Sequence, residues 1–204
     1  GALKPTSGSV SFDGQSLKGK NASQISAMGV VRTFQRTAIF GEFSVLRNIM
    51  IARHLHAKEN VLQAIFGGGK MEEENREKAM EIIRFMGLEE WVDHDAANLP
   101  YGFQRMVNVA AALATEPKLL MLDEPVAGMN PVESERMTNL IRKLRDERGI
   151  TVILVEHDMK TVMGLCDKLT VLDFGKTIAE GNPLEIAKNE QVIEAYLGSE
   201  DSFA

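Results

Sequence analysis

The chain reads as an α/β protein, a parallel sheet core with helices on its faces plus a helical segment, and three observations predict it. After residue 116, short apolar strands alternate with helix-periodic stretches, the pattern of a parallel sheet with covering helices. From about 44 to 115 the apolar spacing is helical throughout. Two of the later strands run straight into acidic or imidazole side chains, and ligands of open α/β sheets sit at the carboxyl ends of strands. The 204 residues, 44% of them apolar, suffice for a packed core.

Each element follows from local pattern. Residues 1–36 hold a turn cluster, Lys4 to Gly8, then the alternating Ser9-Val10-Ser11-Phe12 and a turn at Asp13-Gly14, which predict a short antiparallel strand. A second strand, Val30-Val31, leads into Thr33-Phe34-Gln35. Within Met71 to Met86, the residues Ala79, Ile82, Ile83 and Met86 line one helical face; Glu72-Glu73-Glu74 suits the helix start and Gly87 its stop. Gly67-Gly68-Gly69 before it reads as a flexible joint. Leu119 to Leu122 is a buried strand, Met137, Leu140, Ile141 and Leu144 line a helix ending near Gly149, and Thr151 to Val155 is the next strand. A strand at Lys168 to Leu172, a hairpin around Gly175 and a helical tail from Pro183 to Leu197 complete the chain, without internal repeats.

Charge and composition exclude several classes. The 23 basic and 29 acidic residues leave a formal −6, with no excess positive field for phosphate backbones, so nucleic acid is not an expected partner. One cysteine, Cys166, permits no internal disulfide or cysteine-rich metal site and is expected as a small buried side chain. No apolar run approaches the ~20 residues of a spanning helix. The chain opens Gly1-Ala2-Leu3-Lys4-Pro5 without methionine, so a missing beginning is expected.

Three places carry candidate chemistry. Asp123-Glu124 follows the strand Leu119 to Leu122; one carboxylate there suits a magnesium ion held through its water shell, and the next suits polarising a water. The alternative is that both acids simply open a solvated loop. His157 follows the strand Thr151 to Val155, and an imidazole there suits contact with a γ-phosphate, because parallel neighbours present their ends to one cleft. Asn98 to Arg105 is a glycine-bearing turn opening an alanine-rich helix, which is either an anion site of exposed N–H groups or an ordinary helix start.

In order along the chain, Gln35, Leu99 to Arg105, Asp123-Glu124, Ala127-Gly128-Met129-Asn130 and His157 resemble the ATP-binding subunit of ABC transporters, over nearly the whole sequence. Arg32-Thr33-Phe34-Gln35, the Tyr-Gly of the turn, Val155 to Met159 and the tail Val192 to Gly198 are similar to the branched-chain amino-acid importer branch. The resemblance implies a P-loop NTPase-like ABC nucleotide-binding domain, with a parallel sheet core plus a helical subdomain. It implies ATPase core at 1–36 and 116–204 around a helical subdomain at 37–115. By motif, Glu124 is the general base and His157 the switch histidine of catalysis. Asp123 is the Walker B magnesium acid. Gln35 is the Q-loop glutamine, at both nucleotide and metal, while Tyr101, Gly102, Phe103 and Gln104 belong to the signature and Gly128 and Asn130 to the D-loop, all toward nucleotide. ATP and Mg2+ are the implied ligands, and a second ATP-binding subunit and transmembrane permease subunits the implied partners. The implied location is cytoplasmic, peripheral on the inner face of the membrane.

Departures from the family pattern carry expectations of their own. No G-x-x-x-x-G-K-[ST] phosphate loop occurs: Gly14 to Asn21 has the spacing but ends in asparagine, Gly175-Lys176-Thr177 has Thr170 where the first glycine belongs, and Gly68 to Met71 lacks both that glycine and the hydroxyl. The domain is thus expected to be N-terminally incomplete, weak in ATP turnover alone, and prone to self-association through an open sheet edge. Pro100 replaces the signature serine, Phe103 a glutamine and Asn130 the frequent aspartate of the D-loop. A competing expectation is a non-catalytic nucleotide-sensing or interaction module docking through 44–98. A chromosome-maintenance ATPase calls for coiled-coil insertions and a basic groove, and the sequence has neither.

Overall fold

The computed structural model describes residues 3–33, 39–53 and 68–200, which fall into two units, 1–155 and 156–204. In the first unit, β1 (Ser11–Phe12) and β2 (Gln15–Ser16) form an antiparallel hairpin. Its two turn residues, Asp13 and Gly14, both have positive φ, the conformation that tight hairpins favour. The pairing takes up Gln15 and Ser16, and Asn21 caps α1 (Ala22–Ala27) in a capping box with Gln24. Gly14 to Asn21 is therefore a surface connection rather than a phosphate cradle. The paired strand starts at Ser11, later than the alternation from Ser9 predicts.

After β3 (Val30–Arg32), the helical segment begins with α2 (Val45–Ala52), capped by Ser44. Then come α3 (Gly68–Met86) and α4 (Tyr101–Leu113), with short 3-10 turns at Glu89–Trp91 and Ala96–Asn98 between them. The predicted stripe Ala79, Ile82, Ile83 and Met86 is buried, together with Val45, Ile49, Val107 and Ala110. Each large aliphatic side chain so buried contributes about 1.5–3 kcal/mol. Gly87, at φ +65°, ends α3 as expected, with the Leu88 N–H reaching back to the Ile83 carbonyl. The expected glycine joint is corrected: Gly68 and Gly69 lie inside α3, so Glu72 to Glu74 fall beyond its first turn. Extending a formed helix gains one hydrogen bond per residue, which offsets the roughly 1 kcal/mol that each glycine costs. Gly67 lies outside the described residues.

A buried amide organises the approach to α2. Asn48 accepts from the Phe40 N–H at 2.8 Å and donates to the carbonyls of Phe40, Phe43 and Ser44. Buried Arg53 is held by Asn75 and Glu116, each at 3.1 Å.

The core sheet has the order β3-β4-β5, where β4 is Leu119–Asp123 and β5, following α5 (Pro131–Arg148), is Thr151–Val155. All pairing is parallel, with Arg32 opposite Met121 and Asp123 opposite Val155. Leu120 and Leu122 bury one face of β4, and the predicted Met137, Leu140, Ile141 and Leu144 are the buried stripe of α5. Left-handed Gly149 closes that helix.

The second unit contains α6 (Met159–Leu165), the antiparallel hairpin β6 (Leu169–Asp173) and β7 (Lys176–Gly181), then α7 (Pro183–Ile186) and α8 (Glu190–Glu200). The hairpin turns through Phe174 and Gly175, both at positive φ, which disposes of Gly175-Lys176-Thr177 as a phosphate loop. The helical tail is two helices rather than one, because the capping box of Asn182 with Glu185 starts a short helix that stops before Asn189. Cys166 ends α6 and is only partly buried, a correction to the expected core position: a helix terminus keeps part of its surface toward solvent.

Candidate functional site

β4 ends on the two acids and treats them differently. Asp123 completes the strand, and its Oδ2 accepts from Arg32 Nη2 at 2.7 Å. Glu124 leaves the strand at φ +46°, left-handed backbone that costs a side-chain-bearing residue roughly 1 kcal/mol or more. Its N–H donates to the Val155 carbonyl at 2.8 Å, so the turn is tied to the end of β5. Both acids are partly buried.

The turn that opens α4 and the loop after Glu124 lie against each other. Pro100 precedes α4 and offers no side-chain cap; its carbonyl accepts the N–H groups of Phe103 and Gln104. Gln104 folds back, donating to the Leu99 carbonyl at 2.8 Å. Gly128, at φ +77°, has its Cβ position 3.2 Å from the Tyr101 ring, and the Gly102 Cβ position is 2.7 Å from the Glu133 carboxyl carbon, so neither place accepts a side chain unchanged. The Tyr101 hydroxyl accepts from Arg105 Nε at 2.9 Å. Asn130 caps α5 by accepting from Val132 and Glu133, while Glu133 accepts from the Asn130 N–H. Of the candidate nucleotide residues, Tyr101, Gly102, Gly128 and Asn130 are thus brought together. Phe103 is used for packing: its ring lies 5.0 Å from that of Trp91 and 4.9 Å from the Arg136 guanidinium, beside a cleft of about 180 Å³.

His157 belongs to the second unit. Its N–H donates to Glu156 at 3.2 Å and its carbonyl accepts from the Tyr196 hydroxyl at 3.1 Å. The neighbouring Asp158 caps α6, and the hydrogen bonds from the Thr161 backbone and side chain hold its carboxyl below the usual carboxylate range. Gln35 lies outside the described residues.

The donor set suits a hard cation bound sparingly. Among the described residues no group of three or more His, Cys, Asp or Glu is placed to hold a metal. Mg2+ takes one or two carboxylates plus waters and phosphates, a donor type that Asp123 supplies, and here that carboxylate is paired with Arg32.

Read from sequence, Arg32 counts only as part of the run to Gln35, without its partner, and Glu133 is left without a role. Asn130-Pro131-Val132-Glu133 carries the spacing of a capping box and was readable as such. Arg32 was not, since its partner is 91 residues away and meets it only through sheet register.

Residues 1–127 match the family model described as ABC transporter, and 176–202 that described as branched-chain amino acid ATP-binding cassette transporter. The chain is 40% identical over 201 residues to the high-affinity branched-chain amino acid transport ATP-binding protein BraF of Pseudomonas aeruginosa, covering 97% of this chain and 79% of that one. It is 39% identical, with the same coverage, to the corresponding LivG of Escherichia coli. A solved nucleotide-free ATP-binding cassette from an ABC transporter superposes with a TM-score of 0.79 at 30% identity, over 96% of this chain and 79% of that one.

Proposed function

The chain belongs to the ABC transporter family, in its branched-chain amino acid branch, and from that premise we propose that it is the ATP-binding subunit of an importer for branched-chain amino acids. One observation carries the reading to chemistry: a strand ends in two adjacent acids, the first in contact with a cation and the second held in a strained left-handed turn. Strain of that kind persists at sites whose surroundings enforce it.

In this reading Asp123 and Gln35 would hold Mg2+, which when bound offsets charge on the β- and γ-phosphates. Glu124 accepts a proton from the water that attacks the γ-phosphate in line, and His157 steadies the phosphate oxygens. The start of α4, from Tyr101 to Gln104, presents its N–H groups to ATP held by a second ATP-binding subunit, and Gly128 and Asn130 support that face. With proline at 100, the trans contact rests on backbone donors. Closure of two such subunits on nucleotide then drives permease subunits, with this chain peripheral on the inner membrane face. No helix among the described residues is long and apolar enough to cross a membrane.

Because the 204 residues contain no G-x-x-x-x-G-K-[ST], ATP turnover by this chain alone is expected to be weak. Titration of the purified chain with a fluorescent ATP analogue tests the reading. Weak binding that requires Mg2+ and is lost in Asp123→Asn supports it; binding indifferent to both overturns it. Robust phosphate release by the chain alone, abolished by Glu124→Gln, contradicts the expected weak turnover.

A further inference from the structure

We propose that Glu133 is a positioning residue: its side chain links the start of α4 to the loop 127–130, so that these two segments move as one piece. The consequence for function rests on the roles proposed for 101–104, Gly128 and Asn130 toward nucleotide. Glu133 has no part in those roles and acts through the residues that do.

Local sequence puts the side chain there. Asn130 caps α5, Pro131 opens it, and Glu133 is the third helical residue, from which a glutamate reaches back to the N–H of the cap. Its Oε2 accepts that N–H at 3.1 Å. The other side of the same carboxyl meets α4: Oε1 and the carboxyl carbon lie 2.7 Å from the Cβ position of Gly102, and Cγ lies 3.1 Å from it. Gly102 is buried in the first turn of α4.

Gly102 lies within the helix, without the positive φ that would itself call for glycine, and glycine is a poorer helix former than alanine. What asks for glycine at 102 is the approach of Glu133. A Cβ there displaces the carboxyl from its place beside the Asn130 N–H, so a change at the start of α4 is felt at the end of the loop. The loop is gripped at a second point. Gly128 has its Cβ position 3.2 Å from the Tyr101 ring, whose hydroxyl is held by buried Arg105 at 2.9 Å. Contacts at both 128 and 130 thus tie the loop to the consecutive residues Tyr101 and Gly102, and neither segment turns without moving the other.

The test follows the amide signals of Ala127, Gly128, Met129 and Asn130 in the 15N-labelled chain. Gly102→Ala is expected to shift them, and in a Glu133→Ala chain the same substitution is expected to add no shift to that of Glu133→Ala alone. Glu133→Gln, which keeps an acceptor oxygen at the same reach, is expected to keep the wild-type signals. Shifts from Gly102→Ala that are equal with and without the Glu133 side chain, or absent in both, overturn the link. Circular dichroism of each variant checks the fold. Should Gly102→Ala unfold, Glu133→Ala retains the test: it is expected to move the Gly102 signal as well as that of Asn130, and a shift confined to 130–133 overturns the link. The functional arm is uptake of radiolabelled leucine by cells carrying each substitution in the chromosomal gene. Glu133→Ala is expected to lower uptake about tenfold or more at unchanged protein level, since small misplacements at a reacting site are costly, and Glu133→Gln to retain it. Uptake intact in Glu133→Ala yet lost in Glu124→Gln overturns the positioning role and leaves the transport reading standing. Uptake intact in both overturns the transport reading and the positioning role with it.

Discussion

Glu124 pays for its position in backbone strain, and that can be measured. At φ +46° a glycine is relieved of the Cβ clash that a glutamate or glutamine suffers. Glu124→Gly is therefore expected to stabilise the chain by about 0.5–1 kcal/mol relative to Glu124→Gln, the relief exceeding the extra chain entropy of glycine. Urea unfolding of the two variants checks this, and a glycine variant less stable than the glutamine one contradicts it. Individual residues were legible where chemistry and position coincide in the sequence, as at Asp123-Glu124 after an apolar run. They were illegible where a partner is distant in the chain. Nothing local marks Phe103 as the partner of Trp91 and Arg136, or Asn48 as the amide that gathers Phe40 to Ser44.

Among the elements, α6 offers a pH test. The Asp158 carboxyl is held below its ordinary value chiefly by the backbone and side chain of Thr161. A carboxylate whose folded value is depressed stabilises the fold above its unfolded value of 3.8 and loses that contribution as pH falls through the lower folded value. Asp158→Ala is thus expected to cost about 1 kcal/mol at neutral pH, a penalty that shrinks below about pH 4. Urea melts across that range read the convergence, and a penalty independent of pH contradicts it. β5 offers a second test. It is an outer strand of its sheet among the described residues, and its apolar Ile153 and Val155 are exposed. Such edges pair with other chains, so the wild type is expected to self-associate and Ile153→Lys to do so less. Sedimentation velocity showing a concentration-independent wild-type monomer would count against it.

The same elements show what pattern alone delivers. β3, β4, β5 and the stripes of α3 and α5 were legible because burial imposes periods of two and 3.6 residues on the apolar positions. The start of α3 was not. Its glycines signal a break, and the helix continues through them on the strength of its own propagation.

At the scale of the molecule, the two units carry different parts of the proposed machinery: Asp123, Glu124, the signature turn and Gly128 to Asn130 in residues 1–155, and His157 in residues 156–204. The expected parallel sheet is present, with Asp123 and Glu124 at the end of its central strand, and the chain belongs to the ABC transporter family. The proposed role is therefore that Glu124 chemistry powers amino-acid uptake in the cell. Replacing Glu124 by glutamine in the chromosomal gene and following radiolabelled leucine at low concentration tests that most directly. Uptake is expected to fall to the level of a deletion of the gene, with the protein still present; uptake equal to that of the unaltered strain would contradict the proposed role.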